Sequence, residues 1–446
     1  MKAKGEALKT GPADAAMPDG QRRPRVLSAF RSRDFALLWS GAFLSNTGTW
    51  IQTTVLLWFV FQFTNSNAWV GAVNFAGYMP ILLFVIVSGA LADYLNRKLL
   101  IMVTQSVMGV AALGLAISAQ LGIAHLPEIF LFTLLSGIAF VFNFPAWRAI
   151  VPDLVPRRDM LNGIALDAAQ YNMARFVGPV LGTAVLHFWT VQAAFYVNAA
   201  SFLAVIVALL VIRTRTPPIP RKSASNREHV YEGIRYVWGT KWSRDLLSAL
   251  AVFSFFGLSF IVALPGFSEE VLNRGSGGYG MLLAFMGLGA VMGAPFVTFL
   301  RGYVVERDII RYCILAFGLL LLLFSLFKVL WISLLLSMGL GSTSLMTAAT
   351  VNTVLQSKVG RDMRGRIMSF YILVFQGLFP VGGLVLGYIS DIWSVAFALR
   401  LYSLVCLGLA LVLIVIRSLL REAVSPDFNT DAQVHLFTAR QSGPDS

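Results

Sequence analysis

The chain has 446 residues, 57% of them hydrophobic and 13% charged, with a mean hydropathy of +0.73. Soluble domains carry about a quarter charged residues, so a water-soluble globular fold is excluded and most of the chain must face lipid. The formal charge of +13 is scattered over short segments between apolar runs, which excludes a nucleic-acid surface and makes the charge a topological signal.

The apolar runs are continuous rather than alternating, so they read as helices and not as barrel strands. With roughly 20 residues needed per crossing, twelve spans are predicted: about 35–62, 69–92, 99–121, 127–147, 161–187, 191–212, 245–267, 277–299, 309–328, 331–355, 366–390 and 393–416. Of the 35 Lys and Arg, 31 fall in the two tails and in alternate loops on one side; Arg175, Arg274, Lys328 and Arg400 are the exceptions. Lys and Arg collect on the cytoplasmic side, so both termini are expected there, in a cell inner membrane, and an even number of crossings follows. The first 33 residues contain no apolar core with a cleavage site, so no signal peptide is expected and span 1 would act as a signal-anchor. Cys313 and Cys406 fall inside spans, which indicates neither a disulfide framework nor a metal site.

The expected organisation is an N-terminal tail 1–33, a six-helix half 34–212, a linker 213–244, a second half 245–420 and a polar, disordered tail 421–446. The fold class is all-α membrane protein, with twelve helices in two pseudo-symmetric halves. Val155-Pro156-Arg157-Arg158-Asp159-Met160 after span 4 is echoed by Val359-Gly360-Arg361-Asp362-Met363 after span 10. Within the linker, Val230, Ile234 and Val237 share one helical stripe beside Tyr231, Tyr236 and Trp238. That pattern fits an interfacial helix on the cytoplasmic leaflet, or a loop helix packed on the protein itself.

Between spans 2 and 3 lie Gly89, Asp93, Asn96, Arg97 and Lys98. An acid ending one helix and two bases opening the next suit a latch, in which Asp93 bonds Arg97 and an opposing helix N-terminus. Asn96 would serve as a left-handed turn residue. In span 5, Ala174, Gly178 and Gly182 recur every four residues, with Pro179 and Thr183 beside them. Small residues at this spacing let two membrane helices approach, and Gly289 and Gly293 of span 8 offer the matching surface. Arg175 is deep in span 5, and an intramembrane charge needs a cavity or a partner. It reads as an anion-holding group or as a structural one. Asp167 reads as a proton carrier or as a stabiliser of the span 4–span 5 corner, with Asn172 and Asn143 completing a polar network.

These motifs resemble the major facilitator superfamily. The stretches Ser45–Trp50, Gly71–Pro80, Phe144-Pro145-Ala146, Val151–Val155, Glu232–Tyr236 and Arg364–Ser369 are similar to its subgroup of enterobactin exporters and macrolide-efflux proteins. The resemblance implies that the loop at Asp93 docks on the start of span 11, at Arg364 and Arg366, and holds the cytoplasmic side closed. It implies that the Gly-Pro motif marks an exporter and that spans 1, 4, 7 and 10 line a central cavity. The cavity candidates are then Asn46, Thr49, Trp50 and Thr53; Phe140, Asn143, Phe144 and Trp147; Phe253, Phe256 and Phe260; and Ser344, Thr347 and Thr350. It further implies proton antiport without a bound cofactor, a small amphipathic substrate (drug-like or a siderophore), a monomer in the lipid bilayer, and no catalytic or metal-binding residues. No phosphate-binding loop of the Gly-x4-Gly-Lys-Ser/Thr kind is present. A solute importer of the same fold, a membrane enzyme and a non-transporting sensor are the alternatives. The four His, at 125, 187, 229 and 435, are scattered without nearby intramembrane acids, which counts against the enzyme.

Overall fold

The computed structural model describes residues 27–214, 226–300 and 303–423. Most of the N-terminal tail, the start of the linker and the C-terminal tail lie outside the described residues. Spans 1–6 are the helices Arg33–Thr64, Asn67–Tyr94, Arg97–Gln120, Leu126–Asp153, Met160–Phe188 and Val191–Val211. Span 7 is Lys241–Val271, and spans 8–10 are Gly275–Leu300, Glu306–Leu326 and Leu330–Lys358. Span 11 runs from Arg361–Ile372 through to Leu378–Ile392, and span 12 is Val395–Ala423.

Ten of these helices are long and apolar enough to cross a membrane. The other two are spans 1 and 5, of 32 and 29 residues, which at 1.5 Å per residue are still about 48 and about 44 Å long. What lowers their hydropathy is a set of polar residues turned inward, among them Asn46, Gln170 and Arg175. Span 4 runs six residues further than its apolar run suggested, to Asp153, so Arg148 lies inside a helix rather than in a loop.

The two halves repeat one packing scheme. In the first, span 2 packs on span 4, span 3 on spans 4 and 6, and span 1 on spans 5 and 6. In the second, span 8 packs on span 10, span 9 on spans 10 and 12, and span 7 on spans 11 and 12. The halves meet through two equivalent pairs, span 2 with span 11 and span 5 with span 8. Lipid tails are as apolar as leucine, so such contacts depend on close van der Waals fit rather than on burial from water.

Local chemistry sets the helix ends. The Ser32 and Ser66 hydroxyls accept the Phe35 and Trp69 N–H groups. Asn96 does not form the expected left-handed turn; its φ is −63°, and its side chain caps span 3 by accepting from Lys98 N and Leu99 N at 3.0 and 3.3 Å. Spans 7 and 11 are irregular, with π-turns at Phe253–Gly257 and Leu373–Gly377. Pro265 and Pro380 stand a few residues on, where each withholds an N–H from its helix. The two irregular segments adjoin. Ser254 Oγ donates to Phe375 O at 2.8 Å, and Ser259 Oγ to Phe379 O at 2.7 Å, so polar groups at membrane depth find partners inside the protein.

The linker helix, Asn226–Gly239, packs on spans 7 and 11. Tyr236 and Val237 join the core that includes Met363, and Glu232 pairs with Arg366. The helix thus packs on the protein, with Ile234 and Trp238 left exposed.

Candidate functional site

Spans 1, 2, 4 and 5 build one wall of a cleft between the halves. Tyr171 of span 5 is 40% exposed at membrane depth, yet the Trp50 ring it packs against carries the Arg175 guanidinium, a charge that lipid does not accept. That combination marks an internal cleft and not the outer surface. The Trp50 ring packs edge-on against Tyr171 at 6.4 Å, and the Arg175 guanidinium lies over Trp50 at 5.4 Å. Tyr78 of span 2 stands within electrostatic reach of Tyr171 and Arg175, and its ring meets Phe379 of span 11 at 4.9 Å. Arg148 lies over the Phe144 ring at 5.2 Å.

Behind this wall runs a polar chain. Trp147 Nε1 donates to Asp167 Oδ1 at 3.0 Å, and Gln170 Nε2 donates to the same oxygen at 3.3 Å. Asn46 Nδ2 then donates to Gln170 Oε1 at 3.1 Å. Asp167 is 8% exposed, and its partners here are neutral donors. Gln170, Tyr78, Tyr171 and Arg148 were not singled out in the sequence. The first three look like ordinary helix residues there, and Arg148 reads as a loop base.

Other candidates stand elsewhere. Asn143 is 7% exposed and donates to Thr104 Oγ1 at 2.8 Å, a contact between spans 4 and 3. Asn172 Nδ2 turns back to Ala168 O at 2.8 Å, so neither asparagine belongs to the Asp167 chain. Phe253 and Phe260 are fully buried against Phe317, and Phe256 packs on Tyr402 at 5.0 Å. Thr347 and Thr350 are fully buried, and with Ser344 they bond the preceding turn of span 10. Thr49 and Thr53 likewise bond Ser45 O and Thr49 O. A hydroxyl in lipid bonds its own helix when no partner faces it, which is why a polar stripe alone overstates a cavity.

The Gly-Pro motif packs differently from expectation. Ala174 is fully buried, and Gly178 and Gly182 face span 1, not span 8. A methyl on Gly178 would overlap Trp50 Cβ, and one on Gly182 would lie 3.3 Å from Ile51 O. Pro179 is also buried in this helix. Span 8 meets span 5 through Gly280 on Thr183 and Gly287 on Phe176, while Gly289 and Gly293 pack on span 10 at Met338 and Ser342.

The two ends of the cleft differ. At the end remote from the basic loops, Asp391 of span 11 accepts Asn67 N at 2.7 Å, Ala68 N at 3.1 Å and Ser66 Oγ at 2.5 Å. Asn67 Nδ2 adds a bond to Glu270 of span 7 at 3.1 Å. Gly71 and Gly387 keep spans 2 and 11 in backbone contact there. At the basic end the contact lapses: among the described residues, a methyl on Gly89 or Gly365 would meet nothing within 4 Å. Arg97 pairs with Asp153 at 2.7 Å, inside its own half. Lys98 Nζ donates to Ile212 O, Arg366 pairs with Glu232, and Arg364 is exposed. The Asp93 side chain lies outside the described residues. Among the described residues, then, Arg97, Lys98 and Arg366 find their partners without spanning from span 2–3 to span 11, and the cleft opens toward the basic end.

Among the described residues, no group of three or more His, Cys, Asp or Glu is placed to hold a metal. The cleft offers a binding surface of aromatic rings, amides and guanidinium groups.

Comparison with known proteins bears on the whole chain. The staphyloferrin A transporter of Staphylococcus aureus is 23% identical over 373 residues, covering 82% of this chain and 93% of the relative. The multidrug efflux pump Tap of Mycolicibacterium fortuitum is 22% identical, covering 80% of this chain and 88% of its own. Among solved structures, a mutant of the nucleoside transporter NupG superposes with a TM-score of 0.71 at 13% identity, covering 86% of this chain and 99% of that one. A transmembrane secretion effector model of the major facilitator type matches residues 25–443, and the chain belongs to that family of multi-pass membrane transporters.

Proposed function

We propose that this protein exports an amphipathic small molecule across the bacterial plasma membrane by alternating access. The carrying observation is a cleft between two repeated halves, closed at one end by Asp391 on span 2 and open at the end that holds the basic loops. Lys and Arg mark the cytoplasmic side, so the open end faces the cell interior and takes up cargo there, and both termini are cytoplasmic. Of two similar proteins, a staphyloferrin A transporter and a multidrug efflux pump, the second supports outward movement, and both support a small-molecule cargo.

The driving force in this reading is proton antiport, with no cofactor. Asp167 is the acid at membrane depth among the described residues of the cleft helices, and its hydrogen-bonded chain reaches Asn46 on span 1. One chain supplies both halves of the cleft, so a monomer suffices. Inside-out vesicles test the reading. Cargo accumulates in vesicles carrying the protein, and collapsing the proton gradient abolishes the accumulation. Accumulation that persists after collapse sinks the antiport, and accumulation only in right-side-out vesicles sinks the export direction.

A further inference from the structure

The cleft wall carries two guanidinium groups at successive depths. Arg148 lies about 8 Å from the basic end of span 4, and Arg175 about 22 Å along span 5 from its start. Tyr171 stands between them, within electrostatic reach of both. Each guanidinium rests on a ring, Arg148 on Phe144 and Arg175 on Trp50. Among the described side chains, no carboxylate lies within 4.0 Å of either arginine. Asp167 is buried and already accepts from Trp147 and Gln170. Spans 8 and 10 across the cleft give no compensation, since residues 275–300 and 330–357 contain no charged side chain; of the described acids of spans 7 and 11, Glu269, Glu270 and Asp391 stand at the end remote from the basic loops, and Asp245 lies beside Arg244.

Arginine stays charged at every accessible pH, and a cation at membrane depth costs several kcal/mol unless it faces water or a partner. The open cleft supplies water. Closing the basic end would remove that water and leave two positive charges in a low-dielectric enclosure. The rings occupy one face of each guanidinium and leave the N–H edges free, in the geometry that suits a planar oxyanion.

We propose that the cargo is an organic anion with a ring-containing body, its carboxylate or equivalent oxyanion held by Arg175 after passing Arg148, its ring lying against Trp50 and Tyr171. This deepens the export reading and rests on it for direction alone. The cargo enters the closing cleft as the missing counter-charge.

The test uses the full chain in lipid nanodiscs and three probes of one shape: 2-naphthoate, neutral 2-naphthamide and 2-naphthylmethylammonium. Binding is read by equilibrium dialysis against empty discs. The expected result is naphthoate bound about ten-fold or more tighter than the amide, the size of one charge-assisted pair, with the ammonium weakest. Arg175→Gln and Arg148→Gln each reduce the naphthoate-over-amide preference, and an unchanged circular dichroism spectrum and thermal midpoint show that the variant still folds. Arg148 is exposed, so its variant remains informative if the Arg175 variant does not fold. Naphthoate binding no better than empty discs, equal binding of the three probes, or a preference untouched in the Arg148 variant and in any Arg175 variant that folds overturns the proposal. Direction is read separately in vesicles. Anion preference without export leaves the cargo class standing and removes the export reading; export of cations alone does the reverse.

Discussion

Asp391 caps a helix that belongs to the other half of the molecule. Its carboxylate accepts two backbone N–H groups and the Ser66 hydroxyl at the start of span 2, where the helix dipole also favours an anion. The bonds are partly open to water, so roughly 1–2 kcal/mol is at stake. Asp391→Asn should release this end and shift the open–closed ratio by about five- to thirty-fold. Spin labels at Trp189 and Val329, exposed positions of the two halves, should report a longer distance in the variant. An unchanged distribution would show that apolar packing alone closes this end.

The span 1–span 5 seam makes a graded prediction. Gly178→Ala puts a methyl into Trp50 Cβ, whereas Gly182→Ala brings one to 3.3 Å from Ile51 O and Thr54 Cβ, a fit that small shifts can relieve. Overpacking costs typically 1–3 kcal/mol. Gly178→Ala should lower the thermal inactivation midpoint in detergent clearly more than Gly182→Ala. Equal losses would mean that the seam yields as one unit.

Asp167 separates coupling from scaffolding. Its Oδ1 accepts from Trp147 and Gln170, a role an amide oxygen can keep, so Asp167→Asn should fold. Gradient-driven accumulation should fall about ten-fold or more, the loss expected when the group that moves a proton is removed, while cargo exchange without a gradient continues. Loss of both activities together would assign Asp167 to the span 4–span 5 corner alone.

Span number, the repeated halves and the basic end were legible because lipid imposes length and charge rules on the chain itself. The cleft was less so. Periodicity put Phe253, Phe260, Thr347 and Thr350 on one face of each helix, but a face does not say whether a core or a cleft lies opposite, and these residues are fully buried. Arg148 was misplaced because the apolar run of span 4 ends before its helix does; Pro152, which cannot donate to the carbonyl four residues back, sits in the final turn. Asn96 was assigned a turn when a cap was needed. Asp391 did leave a trace: Gly387 and Asp391 repeat the spacing of Gly89 and Asp93, a pattern visible only when spans 2 and 11 are compared from opposite ends.

That repeat yields a prediction about the pair. Asp93 and Asp391 each stand one residue before the last of their helices, Tyr94 and Ile392, and spans 2 and 11 run antiparallel against each other. Each acid is thus built to meet the N-terminus of the partner helix at its own end of the cleft. Both cannot dock at once if the halves rock about the cleft, so the two contacts oppose each other. Asp391→Asn should favour opening at the end remote from the basic loops, and Asp93→Asn should favour opening at the basic end, each by about 1–2 kcal/mol. The double variant should return the spin-label distances close to those of the unaltered protein, within about 0.5 kcal/mol, as expected for additive changes at distant sites. Turnover separates this balance from simple damage: losing both contacts lowers no state relative to the other, so transport in the double variant should exceed that of either single variant. A double variant slower than both singles, with distances displaced from the unaltered protein, would show that the acids do not act as opposed latches.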